Sequence, residues 1–84
     1  MALSAVADDE ERTQQALEHY RRALQIRPDF AEAHSNLGIA LTSRGNLDEA
    51  MSHFQYAVHL EPQNAEFQQN LKQTKALRAS VVEE

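Results

Sequence analysis

The sequence contains no cysteine, and only two glycines and two prolines among its 84 residues. Without cysteine the chain cannot form a disulfide framework, and its redox compartment is left undetermined. Residues that interrupt helices are few, whereas Ala, Leu, Glu, Gln and Arg, which lose little rotamer freedom in a helix, are common. We therefore expect an all-α protein that forms one domain, residues 1–84, with a small core.

Long apolar runs and an excess of positive charge are also missing. The net charge is −5, and no cluster of Lys and Arg marks a nucleic-acid surface. The apolar runs are far shorter than the roughly 20 residues that a membrane span needs. The first residues, MALSAVADDE, lack the basic and long apolar regions of a signal peptide. The expectation is a cytoplasmic protein with no nucleic-acid or membrane partner.

Signals for catalysis or metal binding are weak. The four histidines include no pair at the three- or four-residue spacing of a helical metal site, and His34 falls at a packing position. Ser35 and Ser43 have neither a glycine-framed turn nor an organised His-Asp pair nearby. We expect no catalytic residue, no metal site and no cofactor.

Two stretches of the sequence share one pattern. QIRPDFAEA, at residues 25–33, and HLEPQNAEF, at residues 59–67, each place a proline before an Ala-Glu pair, and the two prolines lie 34 residues apart. When residues 16–50 are aligned with residues 50–84, ten of the thirty-five pairs are identical, whereas average usage gives roughly two or three. The chain therefore contains an internal repeat of 34 residues.

Turn and cap residues divide each repeat into two helices. Gly45 can take the left-handed conformation that ends a helix, and each proline disfavours helix in the residue before it. Asp8, Asp29 and Asn46 each precede a glutamate by three residues, which is a capping-box pattern. The predicted helices are approximately residues 9–27, 31–44, 47–60 and 65–79.

Apolar residues at three- and four-residue intervals give the helices packing faces. The face of the third helix consists of Leu47, Ala50, Met51, Phe54, Ala57 and Val58, and that of the first consists of Ala16, Leu17, Tyr20, Ala23 and Leu24. Small residues such as Gly38 and Ala50 would let helices approach closely in a stack of antiparallel hairpins. We still expect Gly38→Ala to be far better tolerated than Gly45→Val, because it gains helix propensity and needs no left-handed φ.

Residues 31–64 carry a specific motif. Counted from Ala31, the eight signature positions of a tetratricopeptide repeat hold His34, Leu37, Gly38, Leu41, Ala50, Phe54, Ala57 and Pro62. Two of them depart from the usual choice, since His34 stands where Trp or Leu is frequent and Leu41 where Tyr is. The chain resembles the tetratricopeptide repeat family over roughly residues 13–78. This resemblance implies a right-handed solenoid of stacked helical hairpins.

The resemblance also divides the chain. Residues 8–30 match the second half of a first repeat, residues 31–64 form a complete repeat, and residues 65–80 match the first helix of a third repeat or a capping helix. In the third segment Lys72 and Lys75 replace the signature glycine and aromatic residue. Repeat arrays generally need about three units, and the first repeat lacks its opening helix. We therefore expect the chain to be part of a longer protein.

The second helix carries one stripe of residues outside its packing face. Glu32, Asn36, Ile39 and Ser43 follow one another at spacings of four, three and four residues. In tetratricopeptide repeats this stripe lines the concave groove, together with its equivalents in the next repeat. The resemblance makes the following residues the candidate peptide-binding surface: Asn36, Asn70, Glu32, Ser35, Ile39, Ser43, Glu66, Gln69 and Gln73.

Asn36 and Asn70 are the sharpest candidates in this stripe. A carboxamide carries a donor and an acceptor, and can pair with a peptide backbone whatever the peptide's sequence. Neighbouring helices lie roughly 8 to 10 Å apart and an extended peptide rises about 3.3 Å per residue, so one asparagine would meet about every third ligand residue. The stretch AHSNLGIAL is also similar to the repeats of O-linked N-acetylglucosamine transferases, whose groove carries such asparagines. The alternative is that both residues are merely tolerated on a solvated face.

The predicted function is a protein–protein interaction module, without catalysis of its own, that binds an extended peptide or a partner helix. One alternative is a substrate-recruiting segment of an enzyme such as a glycosyltransferase or kinase. Another is a structural segment that stacks or weakly self-associates through Ile39, Leu77, Val81 and Val82; otherwise we expect a monomer. A clamp for a C-terminal carboxylate is disfavoured, because the matching groove positions carry no Lys or Arg.

Ala50 and Ala65 offer a direct test of the predicted helix faces. Ala50→Leu should lower the free energy of unfolding by roughly 1 to 3 kcal/mol, because it adds methylene groups at a close helix crossing. Ala65→Leu should change it little, since Ala65 is predicted to lie in an open first turn. Thermal unfolding of the two variants measures the difference, and equal midpoints would show that the faces are assigned wrongly.

Overall fold

The computed structural model describes residues 2–82, with the surroundings of the side chains of residues 10–80. This part of the chain forms four helices: α1 (Ala2–Ile26), α2 (Ala31–Ser43), α3 (Leu47–Leu60) and α4 (Ala65–Val82). The all-α fold is confirmed, and α2 and α3 agree with their predicted bounds to within one residue. Glu83, Glu84 and the side chains of Val81 and Val82 lie outside the described residues, so the predicted contacts of this apolar tail are not described.

Helix α1 begins at Ala2, well before its predicted start near Asp9. The capping-box pattern at Asp8 therefore does not mark a helix N-terminus, and this prediction was wrong. A capping residue favours the start of a helix, but it does not stop a helix that continues upstream. Residues 2–7 contain neither Gly nor Pro, so nothing in them interrupts the helix.

The turn between α2 and α3 lies where it was predicted. Gly45 has a φ of 80°, and its N–H donates a hydrogen bond to the Thr42 carbonyl at 3.0 Å. The N–H of Asn46 donates to the Leu41 carbonyl at 2.9 Å. These two bonds form a Schellman motif, which satisfies carbonyls at the end of a helix. The position requires glycine for its backbone conformation, since a Cβ there would meet no atom within 4 Å.

Each helix packs against the next one along the chain, and α2 also contacts α4. The molecule measures 43 × 38 × 18 Å, and its smallest dimension is about the width of two helices. The helices therefore form a flat stack of antiparallel hairpins, as predicted. The two first helices of successive hairpins, α2 and α4, lie side by side.

The main core lies between α1, α2 and α3. The residues at its centre, all exposed by 3 % or less, are Leu17, Leu37, Leu41, Ala50 and Phe54. A second cluster, which joins α2, α3 and α4, consists of Ala31, Ala57 and Phe67. The predicted packing faces of α1 and α3 supply four of these eight residues and α2 supplies three, whereas Phe67 lay outside every predicted face. Ala50 is fully buried and Ala65 is exposed, which supports the difference expected between their leucine variants.

Gly38 marks the closest approach of α2 to α3. A Cβ added to it would lie 2.6 Å from Phe54 Cε1 and 2.8 Å from Phe54 Cζ. The Phe54 ring is itself buried in the core and has little room to move. The expected tolerance of Gly38→Ala was therefore wrong, because overpacking against the ring outweighs the gain in helix propensity.

Gly38→Ala should lower the free energy of unfolding by roughly 1 to 3 kcal/mol. The effect should shrink in a Phe54→Leu background, because that substitution removes the ring atoms nearest to Gly38. A double-mutant cycle by chemical denaturation measures this coupling. Strictly additive effects would contradict the close contact between Gly38 and Phe54.

The helix N-termini differ from the predicted capping boxes. Helix α2 begins after Phe30 and α3 after Asn46, and neither residue forms a side-chain cap hydrogen bond. The two capping boxes predicted for α2 and α3 were therefore wrong. At α4, by contrast, Asn64 Oδ1 accepts hydrogen bonds from the backbone N–H groups of Glu66 at 3.0 Å and Phe67 at 3.2 Å. Asn64 occupies the position of Phe30 one repeat later, and it is the N-cap that sequence reasoning missed.

Asn64→Ala should lower the free energy of unfolding by about 0.5 to 2 kcal/mol, because two N–H groups at the start of α4 lose their acceptor. Asn46→Ala is the matched control: the same substitution at a helix N-terminus, where the side chain makes no cap bond. Its effect should be smaller. Thermal unfolding compares the two, and an equal loss at Asn46 would show that it caps α3 in solution.

Candidate functional site

The predicted peptide-binding stripe lies on α2 and α4. Six of its nine residues are exposed: Glu32, Ile39, Ser43, Glu66, Gln69 and Gln73. Asn36 and Asn70 are half-buried, and Ser35 is buried with only 2 % of its surface exposed. As candidate groove residues Asn36 and Asn70 were expected to be exposed, and that expectation was wrong.

Ser35 and Asn70 connect the two helices. Asn70 Nδ2 donates a hydrogen bond to Ser35 Oγ at 3.2 Å. Ser35 is therefore used in packing α2 against α4, and its burial keeps it from direct contact with a ligand. The Oδ1 atom of Asn70 accepts no hydrogen bond from any residue that the structure describes, so this carboxamide keeps an acceptor for a ligand while its donor holds the fold.

Asn36 differs from its repeat equivalent. Its side chain forms no hydrogen bond within the described part of the chain, although the packing of α2 holds it half-buried. Both the donor and the acceptor of this carboxamide are therefore available. Asn36 is the member of the stripe best suited to bind a peptide backbone.

A groove of about 410 Å³ opens between the C-terminal half of α2 and the middle of α4. Four predicted residues line it: Ile39, Ser43, Asn70 and Gln73. The other lining residues are Thr42, Phe54, Thr74 and Leu77. The remaining five predicted residues do not line it: Glu32, Ser35, Asn36, Glu66 and Gln69. The structure thus brings four of the nine predicted residues together in one groove.

Thr74 was absent from the predicted site. It is almost fully buried, and its Oγ1 donates a hydrogen bond to the Asn70 carbonyl at 2.8 Å. Its position four residues after Asn70 places it on the same face of α4, and this spacing was a usable signal. Phe54 reaches the groove from α3, and nothing in the spacing of α2 or α4 indicates that contact.

The groove carries both apolar and polar groups. Ile39 and Leu77 expose 47 % and 50 % of their surfaces, and the carboxamides of Asn70 and Gln73 lie between the same two helices. No Lys or Arg is among the residues that line it. Glu32 and Glu66 lie exposed in the first turns of α2 and α4, so the formal charge along the stripe is negative.

Two of the histidines contact each other, although their spacing within single helices predicted no such pair. His34 is buried, as predicted, but it contacts His53 of α3, with the two Nδ1 atoms 3.1 Å apart. Spacing along the sequence predicts pairs within one helix, so it did not predict this pair between two helices. Among the described residues, no group of three or more His, Cys, Asp or Glu side chains is arranged to hold a metal ion.

The sequence of residues 9–73 matches the family model of the tetratricopeptide repeat. The chain belongs to the tetratricopeptide repeat family. A search of curated proteins gives no match. The region matched to the tetratricopeptide repeat runs from within α1 to within α4, and it therefore includes both helices of the candidate groove.

Family membership establishes the general role of the chain. Tetratricopeptide repeats generally mediate protein–protein interactions and are typically non-catalytic. None of the helices in the described range has the length and apolar character needed to cross a membrane.

Proposed function

We propose that this tetratricopeptide repeat chain binds an extended peptide segment of a partner protein along the α2–α4 stripe. The observation that carries the proposal is the free carboxamide of Asn36, which packing holds half-buried beside the groove without a partner in the described range. The polar atoms of Asn36 are open to solvent, since no buried side-chain nitrogen or oxygen of the described residues lacks a hydrogen-bond partner, so a ligand can reach them. A peptide backbone supplies both a carbonyl and an N–H for the pairing.

The charge of the stripe favours a neutral or basic peptide. Glu32 and Glu66 lie exposed at one end of it, and Lys and Arg are missing from the residues that line the groove. An acidic peptide or a C-terminal carboxylate would meet like charge, which disfavours binding. The sequence disfavours a clamp for a C-terminal carboxylate, and the charge of the stripe disfavours acidic ligands in general.

The apolar part of the groove also suits an alternative ligand, an amphipathic helix. Ile39 and Leu77 face the same groove from α2 and α4, and an amphipathic helix could place one apolar side chain between them. An extended peptide would instead use this space for a single apolar residue next to the segment paired with Asn36. The two modes differ in the secondary structure of the bound peptide.

The finer identity of the protein is also a proposal. The similarity of AHSNLGIAL to the repeats of O-linked N-acetylglucosamine transferases supports a role for asparagines in the groove. It does not extend to the activity of those enzymes. Recruitment of an enzyme's substrate and self-association are both consistent with an exposed groove, and a bound partner protein would distinguish them from the proposed role.

The proposal can be tested with a panel of neutral, basic and acidic peptides of equal length. Amide-shift mapping should place the changes on α2 and α4, and the acidic peptides should bind most weakly. Circular dichroism of the bound peptide separates an extended from a helical ligand. Shift changes confined to α1 and α3, or a preference for acidic peptides, would contradict the proposed site.

Asn36→Ala should weaken binding of the best peptide by about 1 kcal/mol, because a paired amide loses its partner, and should leave the melting temperature nearly unchanged. Asn70→Ala should weaken binding and also lower the free energy of unfolding by about 0.5 to 1.5 kcal/mol, since Ser35 loses its hydrogen bond. Gln55→Ala, which removes an exposed carboxamide from α3, is the control for both. Calorimetric titration and thermal melts measure the two effects.

Unchanged affinity in both asparagine variants would move the binding site off the stripe. A large drop in the melting temperature of Asn36→Ala would instead show that Asn36 supports the fold. Equal behaviour of Asn36→Ala and Gln55→Ala in the titration would contradict any special role for this carboxamide.

A further inference from the structure

A pair of histidines, the buried His34 and the half-buried His53, links α2, α3 and the turn that precedes α2. His34 is 7 % exposed, and its Nε2 lies 2.8 Å from the carbonyl oxygen of Pro28. Its Nδ1 lies 3.1 Å from Nδ1 of His53. Tyr56 stacks on the His34 ring, with ring centroids 4.5 Å apart and planes 17° apart. The His34 ring is therefore held on both edges and on one face.

The internal repeat shows which nitrogen of His34 carries a proton. Gln68 is the equivalent of His34 one repeat later, and its Nε2 donates a hydrogen bond to the carbonyl of Pro62, the equivalent of Pro28. A carbonyl only accepts hydrogen bonds, so Nε2 of His34 must be the donor to Pro28. In a neutral ring Nδ1 is then the acceptor, and Nδ1 of His53 must carry the proton that the two rings share.

The geometry fits a hydrogen bond better than a bound metal ion. The ring centroids of His34 and His53 lie 5.3 Å apart and the two Nδ1 atoms 3.1 Å apart, so both nitrogens lie near the line that joins the ring centres. A metal ion on that line, about 2.0 Å from each nitrogen, would hold them roughly 4 Å apart. The observed Nδ1–Nδ1 separation is shorter than this and lies within the range of hydrogen bonds donated by N–H groups.

The hydrogen bond tolerates one added proton but not two. Nε2 of His53 faces the Glu49 carboxylate at 3.9 Å, so a proton added there leaves the Nδ1–Nδ1 bond in place. A proton added to Nδ1 of His34 would set two N–H groups against each other and break that bond. The fixed donation to Pro28 leaves His34 no other nitrogen for an added proton.

Burial disfavours protonation of His53, which is the first of these two protonations. The pKa of His53 lies below its ordinary value of 6.5, mainly because burial disfavours the charged ring and next because His34 lies beside it. The Glu49 carboxylate raises the pKa of His53, and Arg21, which pairs with Glu49 at 3.4 Å, lowers it. Arg21 from α1 and Glu49 from α3 are the charged groups that act on the pair, and α2 and the α1–α2 turn contribute His34 and the Pro28 carbonyl.

We propose that the His34–His53 pair is a pH-sensitive latch that holds α2 against α3 and against the α1–α2 turn at neutral pH, and whose contribution to the stability of the fold falls on acidification because the His53 ring takes up a charge where it is packed. The proposal is independent of the ligand of the groove. Above pH 6.5 His53 is neutral in the folded and the unfolded chain, and the latch contributes its full stability. Below pH 6.5 the unfolded chain takes up the proton more readily than the folded one, so stability falls until the pH reaches the lowered pKa of His53.

The first experiment is nitrogen-15 NMR of the histidine rings in the unmodified chain, so it does not depend on whether a variant folds. At about pH 7.5, His34 should be protonated at Nε2 and His53 at Nδ1, and His53 should titrate below pH 6.5. Protonation of His34 at Nδ1, or titration of His53 at or above pH 6.5, would overturn the proposal.

The second experiment compares melting temperatures at about pH 7.5 and about pH 5.5. The melting temperature of His53→Gln should fall less than that of the unmodified chain between these two values, because the titrating ring is gone. His34→Gln should reduce the fall only in part, because the His53 ring and its burial remain while the effect of His34 on it is removed. Glutamine at position 34 keeps a donor for the Pro28 carbonyl, as Gln68 does for Pro62. His59→Gln, at an exposed site, should keep the pH dependence of the unmodified chain. An equal loss in all four proteins would refute the latch.

Discussion

The other contacts of α2 depend on how closely it approaches α3 at Gly38. The Phe54 ring fills the space that a side chain at Gly38 would occupy, and Ala50 is fully buried in the same core. Interiors packed this densely fix the separation of two helices within a few tenths of an ångström. On one flank of this contact His34 reaches His53, and on the other the Phe54 ring borders the groove. The histidine latch and the candidate binding surface thus both depend on the absence of a side chain at Gly38.

Polar contacts recur with the period of the chain. Arg44 donates a hydrogen bond to Gln14 at 2.7 Å, and Arg78, one repeat later, pairs with Asp48, the equivalent of Gln14. The acceptor changes from a carboxamide to a carboxylate, yet the arginine stays at the same position of the repeat. Exposed contacts of this kind contribute little stability individually. Their recurrence shows that the backbone geometry of one repeat is reproduced in the next, and α4 can therefore extend the surface that α2 begins.

The fold could be predicted from the sequence because the apolar positions and the 34-residue period determine which faces are buried. Ala50 and Phe54 were found in this way. The caps could not be predicted, because a capping pattern does not fix the backbone angles of the cap residue: Asn46 fails to cap α3 and Asn64 caps α4. The burial of Ser35 and the pairing of His34 depend on contacts between helices. Spacing along one helix contains no information about either contact.

The two helices of the groove differ in how many of their residues can be substituted without altering the packing of the core. Most of α2 is buried: Ala31, Ala33, His34, Ser35, Leu37, Gly38, Ala40 and Leu41. A substitution on α2 outside its stripe therefore alters packing, so the residues that can adapt to a ligand without a loss of stability are confined to the stripe. In the described part of α4 only Phe67 and Thr74 are buried. The wall of the groove on α4 can therefore vary with the ligand, while the wall on α2, with Ile39, is held in place by the core.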